Sequence, residues 1–370
     1  MKYKCQICET EECQIILKSE NENLARYGLL SAIEYSPIST GLNQVIAYCE
    51  ACNFAWNTAF QYDKVKYDND KIIEAGYFSK RYIDYQKKSA LHLRRIIGFK
   101  PNVIVEIGAG AGIFINEFDA EKKIAIEPSE EANQIDASIE VYNEYYTEER
   151  FNFAADIVVL RQVLEHIKDP IIFLNNIQKS FNKSDEFYLY IEIPNSMLTF
   201  KFGRFYDYYY EHCNYFSINT IAFLAEKINL NIVDLSTDMD GELISILFTN
   251  RKNSISELKL KISNNKNKII EKLNYYKLNK KLILAWGASG NGVQILTSLK
   301  ITMDTIPLVI DSDKNKQGKF IPGTCQKIIS PEDAIEIKPD VVLVLTQFHK
   351  KEIGDSCRKL FPKSEVWYID

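Results

Sequence analysis

Short apolar strands alternating with helical segments predict an α/β fold. It comprises a doubly wound, mostly parallel sheet, a cysteine-rich module ahead of it and a second, smaller α/β domain behind it. Three observations carry this. Val103-Ile-Val-Glu-Ile107 runs directly into Gly108, Gly110 and Gly112; the alternation restarts at Lys281-Leu-Ile-Leu-Ala-Trp-Gly287; and two Cys-x-x-Cys pairs stand in the first 52 residues. A strand feeding a glycine turn and then a helix is how a parallel sheet opens a seat for a nucleotide-like ligand. At 370 residues the chain exceeds one ordinary core, so two or three domains are expected.

In chain order, residues 1–65 form the cysteine module, with five of the eight cysteines and little helical periodicity. Apolar residues at Ile72, Ile73, Tyr77, Tyr82, Tyr85, Ala90, Leu91, Leu93, Ile96 and Ile97 predict amphipathic helices ending at Gly98, with Pro101 just beyond. The main domain, 66–250, then alternates: strand 103–107, helix from about 111, strand 123–127, helix 129–136, a short strand near 139–142, strand 156–160, helix 169–181, strand 187–193. A helix at 218–228 and strands 232–235 and 243–249 finish the same sheet. Residues 251–280, rich in Lys, Asn and Glu with apolar residues at helical spacing, read as an exposed connecting helix. Strands near 281–287, 306–311 and 341–346 define a second Rossmann-like α/β domain over 281–370.

Composition narrows the function. A net charge of −5 argues against nucleic-acid binding, which clustered Lys and Arg normally drive. The start, Met-Lys-Tyr-Lys-Cys, lacks the apolar core of a signal peptide, and no run of about 18 apolar residues would span a bilayer. A cytoplasmic protein with no membrane partner is expected. In that compartment patterned cysteines point to metal or catalysis before disulfides.

The glycine turn selects among cofactors. A dinucleotide fingerprint needs Gly-x-Gly-x-x-Gly, but position 113 is Ile. Glu106, two residues ahead of Gly108, puts negative charge where a pyrophosphate wants none and suits an ammonium and a sulfonium. S-adenosylmethionine fits better than NAD. Gly108 and Gly110 are expected at its methionine end, Glu106 at the ammonium, Glu127 on the ribose hydroxyls, and Glu144 and Tyr145 against adenine, with Asn143 as the alternative to Glu144.

Two further constellations carry chemistry. Cys5-x-x-Cys8 and Cys49-x-x-Cys52 supply four thiolates for a closed structural zinc site, with Cys13 a spare thiol. Tyr208-Tyr-Tyr-Glu-His-Cys-Asn-Tyr-Phe-Ser217 lies past the carboxyl end of one strand, and Leu164-Glu-His166 past another. His212 and His166 therefore converge on the sheet edge where substrates bind. A His beside a carboxylate is a common general base, and a nearby Tyr can polarise an oxygen; the alternative is an aromatic interface with His212 as a core residue. His92 and His349 lack such company. Trp286-Gly-Ala-Ser-Gly-Asn-Gly292, with Asp311 closing the next strand, reads as a degenerate Rossmann turn rather than a cofactor site.

These features in this order resemble the sugar C-methyltransferases of deoxysugar pathways over nearly the whole chain. The resemblance rests on the Cys-x-x-Cys pairs, the 106–112 turn, Glu127-Pro-Ser, Leu164-Glu-His166-Ile, Glu211-His212 before Tyr215-Phe-Ser217, Gly287-Ala-Ser, Asp311, Lys316-Gln-Gly318 and Pro322-Gly323. It implies a class I methyltransferase sheet and a nucleotide-linked keto sugar as substrate. It also implies proton removal by His212 with Glu211, Tyr209 and His166 as partners, and a structural zinc. The chain departs from the family where Gly-Gly-x-x-Arg is usual, reading Asp240-Gly-Glu-Leu-Ile-Ser245, and has Tyr210 before Glu-His. Methylation of oxygen or nitrogen, an NAD(P)-dependent oxidoreductase and a non-catalytic sugar-nucleotide binder are the competing readings.

Overall fold

The computed structural model describes residues 3–20, 22, 42–65, 79–183, 186–252 and 254–369. The predicted helical residues Ile72, Ile73 and Tyr77 lie outside these. The chain divides into two compact units, Met1–Lys252 and Asn253–Asp370. No helix among the described residues is long and apolar enough to cross a membrane.

The first unit begins with three antiparallel strands, β1 (Cys13–Ser19), β2 (Gln44–Cys49) and β3 (Phe54–Asn57). Helix α1 (Lys80–Ile97) follows, capped by the Ser79 hydroxyl and ended by Gly98 at φ 74°. Its buried face, Tyr85, Ala90, Leu93 and Ile97, packs on the sheet side that carries Ile104, Ile157 and Val159. The chain then runs through β4 (Val103–Ile107), α2 (Ile113–Asn116), β5 (Lys122–Ile126), β6 (Glu140–Tyr142), β7 (Ile157–Arg161), α3 (Pro170–Phe181), β8 (Tyr188–Pro194), α4 (Ser196–Phe202), β9 (Asn214–Tyr215), α5 (Ile218–Lys227), β10 (Asn231–Asp238) and β11 (Leu243–Thr249).

Seven of these strands form one sheet in the order β10-β11-β8-β7-β4-β5-β6. Strands β4 to β8 pair in parallel; β11 is antiparallel to β8 and β10 to β11. The chain winds outward from β4 through β5 and β6, then returns through β7 and β8, so the switch point lies at the carboxyl ends of β4 and β7. This is the class I methyltransferase arrangement.

Three local expectations are corrected. The helix expected from about 111 is a single turn, Ile113–Asn116, followed by Phe118, which enters the core with Phe114 and Ile115. The helix expected over 129–136 is a 3-10 turn, Glu130–Gln134, since Ile135 is drawn beneath Gly112, within 3.1 Å of where a side chain there would begin. The cysteine segment is no separate body. Strand β9, from the far side of the main domain, pairs antiparallel with β3, and Phe54 packs against Phe216 at a centroid distance of 5.2 Å. The Thr220 hydroxyl donates to the Cys52 carbonyl at 3.0 Å.

The second unit comprises α6 (Ile255–Leu278), β12 (Ile283–Trp286), α7 (Gly290–Ser298), β13 (Leu308–Ile310), β14 (Lys327–Ile329), α8 (Pro331–Ile337), β15 (Val341–Val344), α9 (Lys350–Leu360) and β16 (Glu365–Tyr368). Its sheet is wholly parallel, ordered β14-β13-β12-β15-β16. The composition of α6 predicts an exposed connector. Its last turns instead bury Leu273 and Tyr276 in this unit's core.

Candidate active site

The glycine turn closes tightly on the neighbouring strand. Gly108 has φ 71°, and a Cβ there would stand 2.4 Å from the Val163 Cγ2, so no larger residue fits. Its N–H donates to the Ile126 carbonyl at 2.8 Å. Glu127, at the end of β5, is buried and accepts the N–H groups of Gly110 and Ser129, each at 2.8 Å. The Asn143 amide donates to the carbonyls of Glu127 and Ser129, fixing that loop. Around them opens a cleft walled by Tyr62, Gly108, Glu127, Tyr145, His166 and Phe173 among others.

Glu106 is placed differently from its expected role. Glu106 is not among the residues that wall this cleft; strand alternation sets it on the face of β4 opposite Ile107, beside Arg161. It accepts the Ile115 N–H at 3.0 Å, which anchors the start of α2. Burial pushes its pKa up to about 8, against the lowering pull of the nearby Arg161 guanidinium and of that N–H. Glu144 also lies off the wall, paired with Arg150 at 3.0 Å, whereas Tyr145 lines it.

Arg161, at the carboxyl end of β7, is a site residue that no sequence motif announces. It is buried, pairs with Glu192 at 2.8 Å, donates to Gln86 at 2.9 Å, and lies 4.7 Å from the Phe114 ring centroid. Tyr85 donates a second hydrogen bond to Glu192 at 2.7 Å. Local spacing cannot mark such a cluster, since its members come from α1, β7 and β8.

The acid–base residues do converge. The Tyr209 hydroxyl lies 2.7 Å from the Nε2 of His212, and the rings of His166 and His212 meet edge to face at 4.7 Å. Glu211 is fully buried and meets His166 through its main chain, its carbonyl accepting from Nδ1 at 2.9 Å. A further carboxylate, Glu165, places Oε1 4.0 Å from the His212 Nε2. Glu165 stands in the Leu164-Glu-His166 segment, but only burial identifies it as part of the cluster. The two segments are joined by the Cys213 N–H, which donates to the Glu165 carbonyl at 2.9 Å. His92 and His349 stand apart and exposed, beside Asp234 and Glu352.

The sulfurs of Cys5, Cys8, Cys49 and Cys52 lie within 4.8 Å of one another, with Cys5–Cys52 at 3.6 Å and Cys8–Cys49 at 3.4 Å. A tetrahedral zinc with bonds of about 2.3 Å sets its sulfurs about 3.8 Å apart, so the quartet fits the ion. The Ile7 N–H points at the Cys5 sulfur at 3.4 Å. Cys13 is outside the quartet, its thiol 3.7 Å from the Thr10 carbonyl.

In the second unit, Gly287, Ser289, Asp311 and Lys316 line a separate cleft at the carboxyl edge of the sheet. Asp311 accepts the Ala288 N–H at 2.8 Å, and Lys316 bridges Asp311 at 3.1 Å and Ser289 at 2.7 Å.

The seven-stranded sheet has the fold of the S-adenosylmethionine-dependent α/β methyltransferases, and residues 79–235 match the methyltransferase domain family. More particularly, residues 248–367 match the family described as the C-methyltransferase C-terminal domain. The C-methyltransferase NovU of Streptomyces niveus is 26% identical over 227 residues, 55% of this chain and 54% of that protein. The chain thus spans about half the length of this curated relative. Among solved structures, a possible histamine N-methyltransferase from Thermotoga maritima aligns at 19% identity, covering 46% of this chain and 94% of that one, with a TM-score of 0.35. The N-methyltransferase NodS of Bradyrhizobium japonicum, bound to S-adenosyl-L-homocysteine, aligns at 15% identity, covering 46% and 87%, with a TM-score of 0.36.

Proposed function

We propose that this chain transfers a methyl group from S-adenosylmethionine to a carbon of a nucleotide-linked keto sugar, with His212 as the base. The observation that carries this reading is the Tyr209–His212 hydrogen bond at 2.7 Å, beside a His166 that also walls the cleft of Gly108 and Glu127. The cofactor, when bound, supplies an electrophilic methyl carbon on a sulfonium. The main chain at Gly108 and Gly110 receives its methionine end, Glu127 its ribose hydroxyls and Tyr145 its adenine. Glu106 holds the turn rather than the ligand.

A proton next to a ketone is weakly acidic, so its removal needs a positioned base and a donor for the oxygen that becomes negative. His212 takes the proton. Tyr209 donates to the developing oxyanion, while Glu165 and Glu211 set the field in which the imidazolium forms. The Cys5-Cys8-Cys49-Cys52 zinc is structural, since four thiolates leave no open position.

Incubation with nucleotide 4-keto sugars in deuterated water tests this. Deuterium should enter next to the ketone, and His212→Asn should slow exchange and methylation about 100- to 10,000-fold. Undiminished exchange in that variant removes His212 from the mechanism. Methylation at an oxygen or nitrogen is the second reading. It is favoured by the Asp240–Ser245 stretch, where Asp240 and Glu242 pair with Arg81 and Arg204 instead of presenting the family's arginine. A methylated product formed without carbon-bound deuterium supports that reading.

A further inference from the structure

We propose that Glu165, His166 and His212 form a second metal site, for a borderline divalent cation, whose occupancy withholds His212 from proton transfer. The site itself follows from geometry. Its inhibitory effect rests on the reading of His212 as base.

One nitrogen of each histidine and one Glu165 oxygen all lie within 4.8 Å of one another. The three residues are 1%, 6% and 6% exposed, so they form a built, water-poor pocket rather than a surface cluster. Hydrogen bonds prepare the ligands. The Glu211 carbonyl can only accept, so the His166 Nδ1 beside it carries the proton and leaves its Nε2 a lone pair. A histidine oriented by donating its other ring N–H to a backbone carbonyl is the usual second shell of a metal ligand. At His212 the Tyr209 hydroxyl lies 2.7 Å from Nε2, and in the tautomer that carries its proton on Nδ1 that atom keeps the lone pair a metal takes. The Cys213 N–H holds the Glu165 main chain against this segment.

Metal bonds to nitrogen and carboxylate oxygen run about 2.0–2.2 Å, which places ligand atoms no more than about 4.2 Å apart. The 4.0 Å between Glu165 and His212 already meets this. The widest pair closes by a shift well under about 1 Å, with Tyr209 swinging off Nε2. Two imidazoles and one carboxylate favour Fe²⁺, Co²⁺, Ni²⁺ or Zn²⁺ over Mg²⁺ and Ca²⁺, and leave coordination positions open toward the cleft that His166 walls. A nitrogen whose lone pair is given to a metal cannot accept a proton.

The test is a titration of the full chain with Co²⁺ after the thiolate quartet has been filled with zinc. Weak visible bands of a nitrogen–oxygen site, without intense thiolate charge transfer, are expected to saturate and to reverse with a mild chelator. Glu165→Gln and His166→Asn, checked for unchanged melting, should abolish them. Absence of these bands, or their persistence in both variants, overturns the site. In the same samples methyl transfer should fall about a hundredfold or more at saturating Co²⁺ and recover with the chelator. Undiminished transfer alongside the bands overturns the inhibitory role. Bands in a chain that methylates no acceptor tested support the site and count against the functional reading alone.

Discussion

Glu106 takes part in the fold through contacts that its place in the motif does not announce. Its place two residues before Gly108 marks the turn, but strand parity points it at α2 and Arg161 instead of the cleft. With a pKa pushed up to about 8, it binds a proton in the folded state that the unfolded chain has released above about pH 4.5. Stability should therefore fall as pH rises from about 4.5 to 8 and level off above. Each pH unit inside that window costs at most about 1.4 kcal/mol, so the whole loss is a few kcal/mol. Glu106→Gln keeps an oxygen for the Ile115 N–H and removes the titration. Its melting temperature should match the parent near pH 5 and exceed it near pH 8. Parallel melting profiles would show that Arg161 keeps Glu106 ionised throughout. Arg161 and Glu192 themselves are invisible locally, because a buried ion pair drawn from two strands has no spacing to detect.

Among the elements, those with strong apolar patterns emerge where the sequence places them. Strand β11 covers Leu243–Thr249 as expected, and α3 begins one residue late at Pro170. Weakly patterned segments fail, as at Glu130–Gln134, where tertiary demands on Ile135 leave room for one turn only. The cysteine knuckles are legible because Cys-x-x-Cys spacing is set by the ion. What the spacing cannot show is that β9, two residues beyond His212, completes their sheet. Zinc removal should therefore reach His212, the proposed base. If the quartet holds zinc as proposed, dialysis against a strong chelator should lower the melting temperature and weaken deuterium exchange at the acceptor together, since structural zinc sites contribute about 10 kcal/mol of metal-linked folding energy. An apo chain that melts and exchanges like the parent would show that the quartet is not a folding element.

At the level of the whole molecule, each unit covers both faces of its own sheet. The second unit buries one face under α6 and α7 residues such as Leu273, Tyr276 and Leu296, and the other under Ala334, Cys357 and Phe361. A fragment beginning at residue 253 should fold alone, with a cooperative thermal transition by circular dichroism and dispersed amide resonances; a molten spectrum would show that it needs the first unit. The order of residues was enough to specify the fold class, the glycine turn, Glu127 as the acid facing it, the thiolate quartet and the meeting of His166 with His212. Periodicity and motif spacing record backbone geometry within one element, and these features depend on little else. Folding in three dimensions was needed to establish that Glu106 anchors the Ile115 N–H, that Glu165 joins the histidines, that Arg161 is buried against Glu192, and that the cysteine sheet ends on the strand after His212. Each of those depends on which side chains from distant elements share one buried space, and linear spacing does not encode that.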